Sequence, residues 1–238
     1  MSIDNFIKKE QFYHFYQPIY DITTMNILGY EALLRSSIHK NPMDAFQLAI
    51  NEKKLYELDM RSIHKALFSY GNVGSAKSNR KLFLNVFPST ILNQKFFPFL
   101  TKIMSLSTIK SQQIIFEISE SELPENFHDL RYCINKLTEL GFDVAIDDFG
   151  KGFANFEALT KIDSAFIKLD RFFTSDLHQT PKKQSLLKHL MDYSKEFHTP
   201  IILEGIENEL TKEAALDLGV IYAQGFGLSK PLSLSEVI

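Results

Sequence analysis

Five short apolar runs in this chain each close on a residue that can offer an oxygen atom, and no other feature restricts its fold as much. They are Leu82-Phe83-Leu84-Asn85, Ile114-Ile115-Phe116-Glu117, Val144-Ala145-Ile146-Asp147-Asp148, Phe166-Ile167-Lys168-Leu169-Asp170 and Ile201-Ile202-Leu203-Glu204. β-branched and aromatic runs without polar alternation read as strands buried on both faces, the condition of a parallel sheet covered by its crossover helices. The segments between them carry helical spacing: after Pro88, from Asp129 to Leu140, near Phe156, from Gln184 to Phe197 and from Glu209 to Leu218. Repeated β–α units within 238 residues favour a sheet closed into a barrel over an open doubly wound one. The expected fold class is therefore α/β, a TIM-like (β/α)8 barrel, with residues 1–238 as a single domain. Its strand ends gather at one mouth, so the five oxygen-bearing residues converge there.

The N-terminal part departs from that repeat. Strands around His14 to Ile19 and Leu28 to Leu34 are joined by the tight turn Asp21 to Asn26, which predicts a hairpin and hence one antiparallel barrel strand. Pro42 to Leu55 and Asp59 to Tyr70 have helical spacing, and a last short strand falls near Ile221 to Gln224. Gly71 to Lys81 reads as a polar, basic loop and Ser175 to Lys183 as a flexible, solvated connection.

Composition narrows the partners. With 45% hydrophobic and 23% charged residues a sizeable core is expected, and a net charge of -3 supplies no basic footprint for a nucleic-acid polymer. The single cysteine, Cys133, excludes an internal disulfide framework and a multi-cysteine zinc site, and reads as a small buried apolar residue. Met1 to Gln11 contains no signal-peptide core, and no apolar run reaches the ~18 residues of a membrane span. A soluble, cytoplasmic protein with no membrane partner is the expectation. A second, sensory domain has little room, so regulation is expected to act in trans or through expression level.

Carboxylate and amide oxygens without cysteine or clustered histidine suit hard cations, above all magnesium and manganese. Asp147-Asp148 carries most weight: at a strand end where the pleat breaks, adjacent carboxylates can both enter one mouth and bridge two metals. The glycine-hinged Phe149-Gly150-Lys151-Gly152 follows directly.

The segment Glu31-Ala32-Leu33-Leu34-Arg35 resembles the signature of the EAL-domain family of cyclic di-GMP phosphodiesterases, and the remaining motifs follow in family order. Tyr16-Gln17-Pro18-Ile19 and Gly29-Tyr30-Glu31 are similar to its opening hairpin, Asn85 to its metal-binding asparagine, and Glu117-Ile118-Ser119-Glu120-Ser121 to its Glu-Leu-Thr-Glu-Ser. Asp147-Asp148-Phe149-Gly150, Lys168-Leu169-Asp170, Glu204-Gly205-Ile206-Glu207, Gln224-Gly225-Phe226 and Ser229-Lys230-Pro231 match directly. The resemblance spans about residues 12 to 232.

It implies that Glu31, Asn85, Glu117 and Asp147 hold one divalent ion, Mg2+ or Mn2+. Asp147 would bridge to a second ion held with Asp148, while Glu204 and Gln224 bind that ion or its water. Lys168 would contact the attacking water, Glu204 would be the general base, and Arg35, Gln17 and Pro231 would meet the substrate. Glu120 would anchor the loop after Asp148, with Glu207 and Asp170 in supporting places. The implied reaction is hydrolysis of cyclic di-GMP to linear pGpG by a cytoplasmic homodimer. Electrostatics points the same way, because two unit charges 4 Å apart repel by about 4 kcal/mol at an effective dielectric near 20. Five carboxylates in one mouth need the charge of two divalent ions and Lys168 to balance them.

Other readings compete. Glu31 and Arg35 would be an i, i+4 ion pair if that segment were helical, Asn85 would cap a helix before Pro88, and Lys168 with Asp170 would be a structural salt bridge. A catalytically silent EAL domain binding nucleotide or a protein is the main functional alternative, and a barrel glycosidase with paired carboxylates is another. This chain also departs from the family pattern. Lys151, Phe153, Ala154 and Asn155 stand where Thr, Tyr and a Ser pair are usual, Val86-Phe87 replaces Leu-Ser, and Leu203 replaces Ala.

Overall fold

The computed structural model describes residues 2–72, 79–124, 127–151 and 156–237. Among them eight strands follow one another round a closed barrel: β1 (Tyr13–Asp21), β2 (Asn26–Arg35), β3 (Lys81–Asn85), β4 (Ile114–Ser119), β5 (Asp143–Phe149), β6 (Phe166–Leu169), β7 (Ile201–Leu203) and β8 (Tyr222–Ala223). β1 runs antiparallel to both β2 and β8, and all other neighbours are parallel. The hairpin follows from its turn. Asp21 Oδ1 accepts from the backbone and hydroxyl of Thr23 at 2.9 and 2.6 Å, reversing the chain so that Gln17 pairs with Glu31.

Alternation along each strand separates two cores. Outward residues such as Leu82, Leu84 and Phe116 pack under the helices, where Phe116 meets Phe96 at a 5.9 Å ring separation. Inward residues Ile19, Phe83, Ile115, Ala145, Phe166 and Ile202 fill the barrel as a separate apolar layer. The helices are α1 (Ile3–Lys8), α2 (Pro42–Asn51), α3 (Leu55–Asn72), α4 (Pro88–Ile91), α5 (Phe96–Met104), α6 (His128–Glu139), α7 (Phe156–Lys161), α8 (Pro181–Glu196) and α9 (Glu209–Asp217).

The structure departs from these expectations at several points. α1 was not foreseen: its six residues form a helix because Ile3, Phe6 and Ile7 bury against Phe12, Leu34, Ala45 and Leu58. Ser175 to Lys183 is not a free connection, since Leu177 is buried and Lys183 Nζ donates to Phe172 O at 2.6 Å and Ser175 O at 2.7 Å. Cys133 is only half-buried at the edge of the main core. Of the expected loop from Gly71, α3 takes the first two residues, and residues 73–78 lie outside the described ones.

Candidate active site

In five strands the residue two positions beyond an apolar filling residue is polar: Asn85 after Phe83, Glu117 after Ile115, Asp147 after Ala145, Lys168 after Phe166 and Glu204 after Ile202. A two-residue step keeps the side chain on the inner face and moves it one layer toward the C-terminal mouth. Glu31 joins them from β2 and Gln224 from the residue after β8. The oxygen atoms of Glu31, Glu117 and Asp147 come within 4.8 Å of one another.

Lys168 lies at the centre and is 0% exposed. Its Nζ is 2.6 Å from Glu117 Oε1, 2.9 Å from Glu204 Oε1, 3.0 Å from Asp147 Oδ1 and 3.3 Å from Glu31 Oε2. Burial alone pulls this ammonium toward neutrality, but Asp147, Glu117, Glu204 and Glu31 together hold its pKa well above the ordinary lysine value. Glu117 is pushed well above the usual glutamate range by burial first and Glu31 second, with Lys168 opposing. Glu204 is pushed up to about 8 by burial, with Lys168 opposing and the charges of Asp147 and Glu31 adding to the rise.

The amide side chains brace the cluster. Asn85 Nδ2 donates to Glu31 Oε1 at 3.2 Å and Glu117 Oε2 at 3.3 Å, while Gln224 Nε2 donates to Glu31 Oε2 at 2.9 Å. Gln224 Oε1 is buried with no hydrogen-bond partner. An oxygen-only donor set, crowded carboxylates and this orphaned amide oxygen fit hard divalent cations.

Local backbone explains the Asp147-Asp148 pair. The β5–β6 register shifts between Ile146 and Phe149, and Asp148 adopts a left-handed conformation with φ 59°. That break lets both carboxylates line the cleft despite being adjacent. Asp148 is raised above the usual aspartate value by burial and then by Asp147. Its Oδ2 is 2.7 Å from Lys151 Nζ. Gly150 follows at φ 89°, where a Cβ would come within 2.6 Å of the Phe173 ring, and its N–H donates to Glu120 Oε2 at 2.9 Å.

The mouth opens into a cleft of about 660 Å³, walled by Arg35, Met43, Phe46, Phe87 and Phe226 among others. Arg35 Nη1 donates to Leu34 O at 2.9 Å, and burial lowers its pKa against the opposing pull of Glu31. Gln17 lines the cleft and donates to Ser229 O at 3.1 Å, whereas Glu207 lines it as an exposed residue. Pro231 is not brought to the cleft wall; its neighbour Leu232 is drawn instead into a backbone bridge with Tyr16.

Lys168 sits at the centre of four carboxylates and is not among the residues that wall the cleft. Asp170 does not pair with it; Asp170 Oδ1 accepts from Phe172 N–H at 2.8 Å and caps the turn after β6. The local alternatives for Glu31 and Asn85 also fall, since Glu31 and Arg35 lie on a strand and the residue capping α4 is Phe87.

The EAL domain model matches residues 2–231. The chain belongs to the EAL-domain family. It is 30% identical over 227 residues to the probable cyclic di-GMP phosphodiesterase PdeI of Escherichia coli K12, covering 92% of this chain and 29% of that protein. The chain thus spans less than a third of that relative. Its fold matches the EAL enzyme Bd1971 in a cAMP- and cyclic-di-GMP-bound form with a TM-score of 0.89 at 24% identity, over 99% of this chain and 66% of the other. It matches Klebsiella pneumoniae BlrP1 in a manganese and cyclic-di-GMP complex with a TM-score of 0.85 at 24% identity, over 93% and 56%.

Within this EAL domain the structure also adds residues that sequence reasoning passed over. Asp59 of α3 lines the cleft, is 1% exposed and accepts from Phe87 N–H at 3.0 Å. Burial pushes it up to about 7, and burial with the nearby Asp148 does the same to Glu122. An acid placed on the apolar stripe of Ile63, Ala66 and Tyr70 was the available signal. His14 is buried beside the cleft with Nε2 2.9 Å from Ser62 Oγ, and burial lowers it to about 3, so it stays neutral.

Proposed function

We propose that this chain hydrolyses cyclic di-GMP to linear pGpG with two divalent cations, Mg2+ or Mn2+, held at the barrel mouth. The observation that carries the reading is the convergence of Glu31, Glu117 and Asp147 within 4.8 Å on the floor of a cleft that Arg35 borders. Glu31, Asn85, Glu117 and Asp147 would hold one ion; Asp147 and Asp148 would hold the other, with Glu204 and Gln224 binding that ion or its water. When bound, such a pair polarises phosphoryl oxygens and lowers the pKa of water near it.

The protein's own groups do the rest. Glu204 is the general base: burial raises its carboxyl above the ordinary glutamate value while Lys168 opposes the rise, and a nearby cation would favour the ionised form that accepts a proton. Thr174 holds it in place by donating its hydroxyl to Glu204 O at 2.8 Å. Lys168, 2.9 Å from Glu204, offsets part of the carboxylate charge and would contact the attacking water. Arg35 offers a fork of N–H donors to the phosphodiester, and Glu120 fixes the backbone after Asp148 through Gly150.

Incubating purified protein with cyclic di-GMP and Mg2+ or Mn2+, followed by chromatography, tests the reading. pGpG should form with metal and not with EDTA, and Glu204→Ala should slow turnover at least roughly 10²-fold while binding persists. No pGpG above the EDTA control overturns the proposal, and binding without turnover would make the chain a silent EAL domain.

A further inference from the structure

Lys151 follows the Asp147-Asp148 pair, and the structure gives that lysine a defined partner. Its Nζ sits 2.7 Å from Asp148 Oδ2. The backbone delivers it there: Asp148 is left-handed, Gly150 has φ 89°, and Lys151 N–H closes the turn on Asp148 O at 3.1 Å. Glu120 pins the same turn by accepting from Gly150 N–H at 2.9 Å. The central ammonium of Lys168 contacts Glu31, Glu117, Asp147 and Glu204, but its ion pairs do not include Asp148. Among the described residues, the cation in ion-pair contact with Asp148 is therefore Lys151.

We propose that Lys151 is a built-in competitor for the second divalent ion. Its ammonium occupies the Asp148 carboxylate and must be displaced before an ion binds there, so the two sites load with unequal affinity. The inference rests on the two-ion reading above. Competition, not blockade, follows from exposure: the Lys151 side chain is 60% accessible and has water to move into, whereas that of Asp148 is 25% accessible. A threonine hydroxyl at this position would bring no charge to the carboxylate. An exposed ion pair is a weak holder, so with the repulsion between ammonium and incoming ion the handicap amounts to about three- to tenfold in affinity.

Calorimetric titration of the metal-free chain with Mn2+ alone tests this, using wild type, Lys151→Thr and Lys151→Arg, with melting in EDTA to show that each variant is folded. The wild type should bind one tighter and one weaker ion. Lys151→Thr should tighten the weaker ion about three- to tenfold and leave the tighter one within about twofold, while Lys151→Arg, which keeps the charge, should match the wild type. An unchanged weaker site in Lys151→Thr overturns the inference and leaves the two-ion reading standing. Equal tightening by Thr and Arg also overturns it, because charge would not be the cause. Absence of a second ion from both wild type and Lys151→Thr overturns the inference and the two-ion reading together.

Discussion

Two neighbouring layers inside this barrel are built by the same strands and face opposite demands. The lower layer, with Ile19, Phe83, Ile115, Ala145, Phe166 and Ile202, is wholly apolar. Two residues away on the same strands, Gln17, Asn85, Glu117, Asp147, Lys168 and Glu204 make a layer that is wholly polar. Backbone geometry treats the two alike, so residue type alone decides which layer stabilises and which does chemistry. Apolar side chains gain by leaving water and need no partner. The carboxylates of the upper layer are buried against one another, with Lys168 as the cation at their centre. The lower layer therefore holds the barrel closed while the upper one is held in place by it.

The largest expected effect tests that division of labour. Phe83→Ala should cost about 3–5 kcal/mol of stability, as a large buried ring lost from a packed interior. Glu117→Gln, two strand positions from Ile115 in the other layer, should change stability in EDTA by less than about 1 kcal/mol, since it removes a repelling charge along with one of four contacts to Lys168. Urea melts of both variants decide it. A Glu117→Gln loss as large as that of Phe83→Ala would mean that the upper layer is a structural ion-pair network.

A smaller effect sharpens the same contrast. Adding Mn2+ at neutral pH should raise the melting temperature, because the ion binds the folded mouth and relieves its repulsion; at a hundred times Kd the gain is about 2.7 kcal/mol. Phe83→Ala should keep this increment on a lower baseline, and Glu117→Gln should lose most of it. A melting temperature unmoved by millimolar metal would count against a preformed ion site.

How much of this was legible in the sequence follows from the range of each interaction. Apolar runs ended by Asn85, Glu117, Asp147 and Glu204 mark strands and their exits because that signal is local, and the antiparallel β1 was visible in the Asp21 turn. α1 was not visible, since six residues are too few to nucleate a helix and tertiary burial of Ile3, Phe6 and Ile7, with Phe6 5.5 Å from Phe12, supports it. The burial of Lys168 under four carboxylates needed the barrel's closure to bring β2, β4, β5 and the end of β7 around β6. The alternative of a salt bridge between Asp170 and Lys168 fails because the chain turns after Leu169 and Asp170 serves Phe172. The Lys151 contact depended on a positive φ at Asp148, which residue type permits but does not announce.

Asp59 belongs to neither layer, and it offers the mildest test of where the pH response of this fold originates. It lines the cleft from α3 with one backbone donor, Phe87 N–H at 3.0 Å, and no ion pair among the described residues, and burial raises its pKa from 3.8 to about 7. Between those values the folded state keeps a proton that the unfolded chain releases. Stability should therefore fall as pH rises through that window, by at most about 1.4 kcal/mol per pH unit, and level off above about pH 7. Asp59→Asn keeps an acceptor for Phe87 N–H but carries no titrating proton. Melts in EDTA from pH 5 to 8 should show a flatter curve for the variant, with the two proteins closest at pH 5 and the variant more stable at pH 8. Parallel curves would assign the whole response to the upper layer, where Glu117 and Glu204 are also raised by burial, and would leave Asp59 a hydrogen-bonding group whose charge state does not matter.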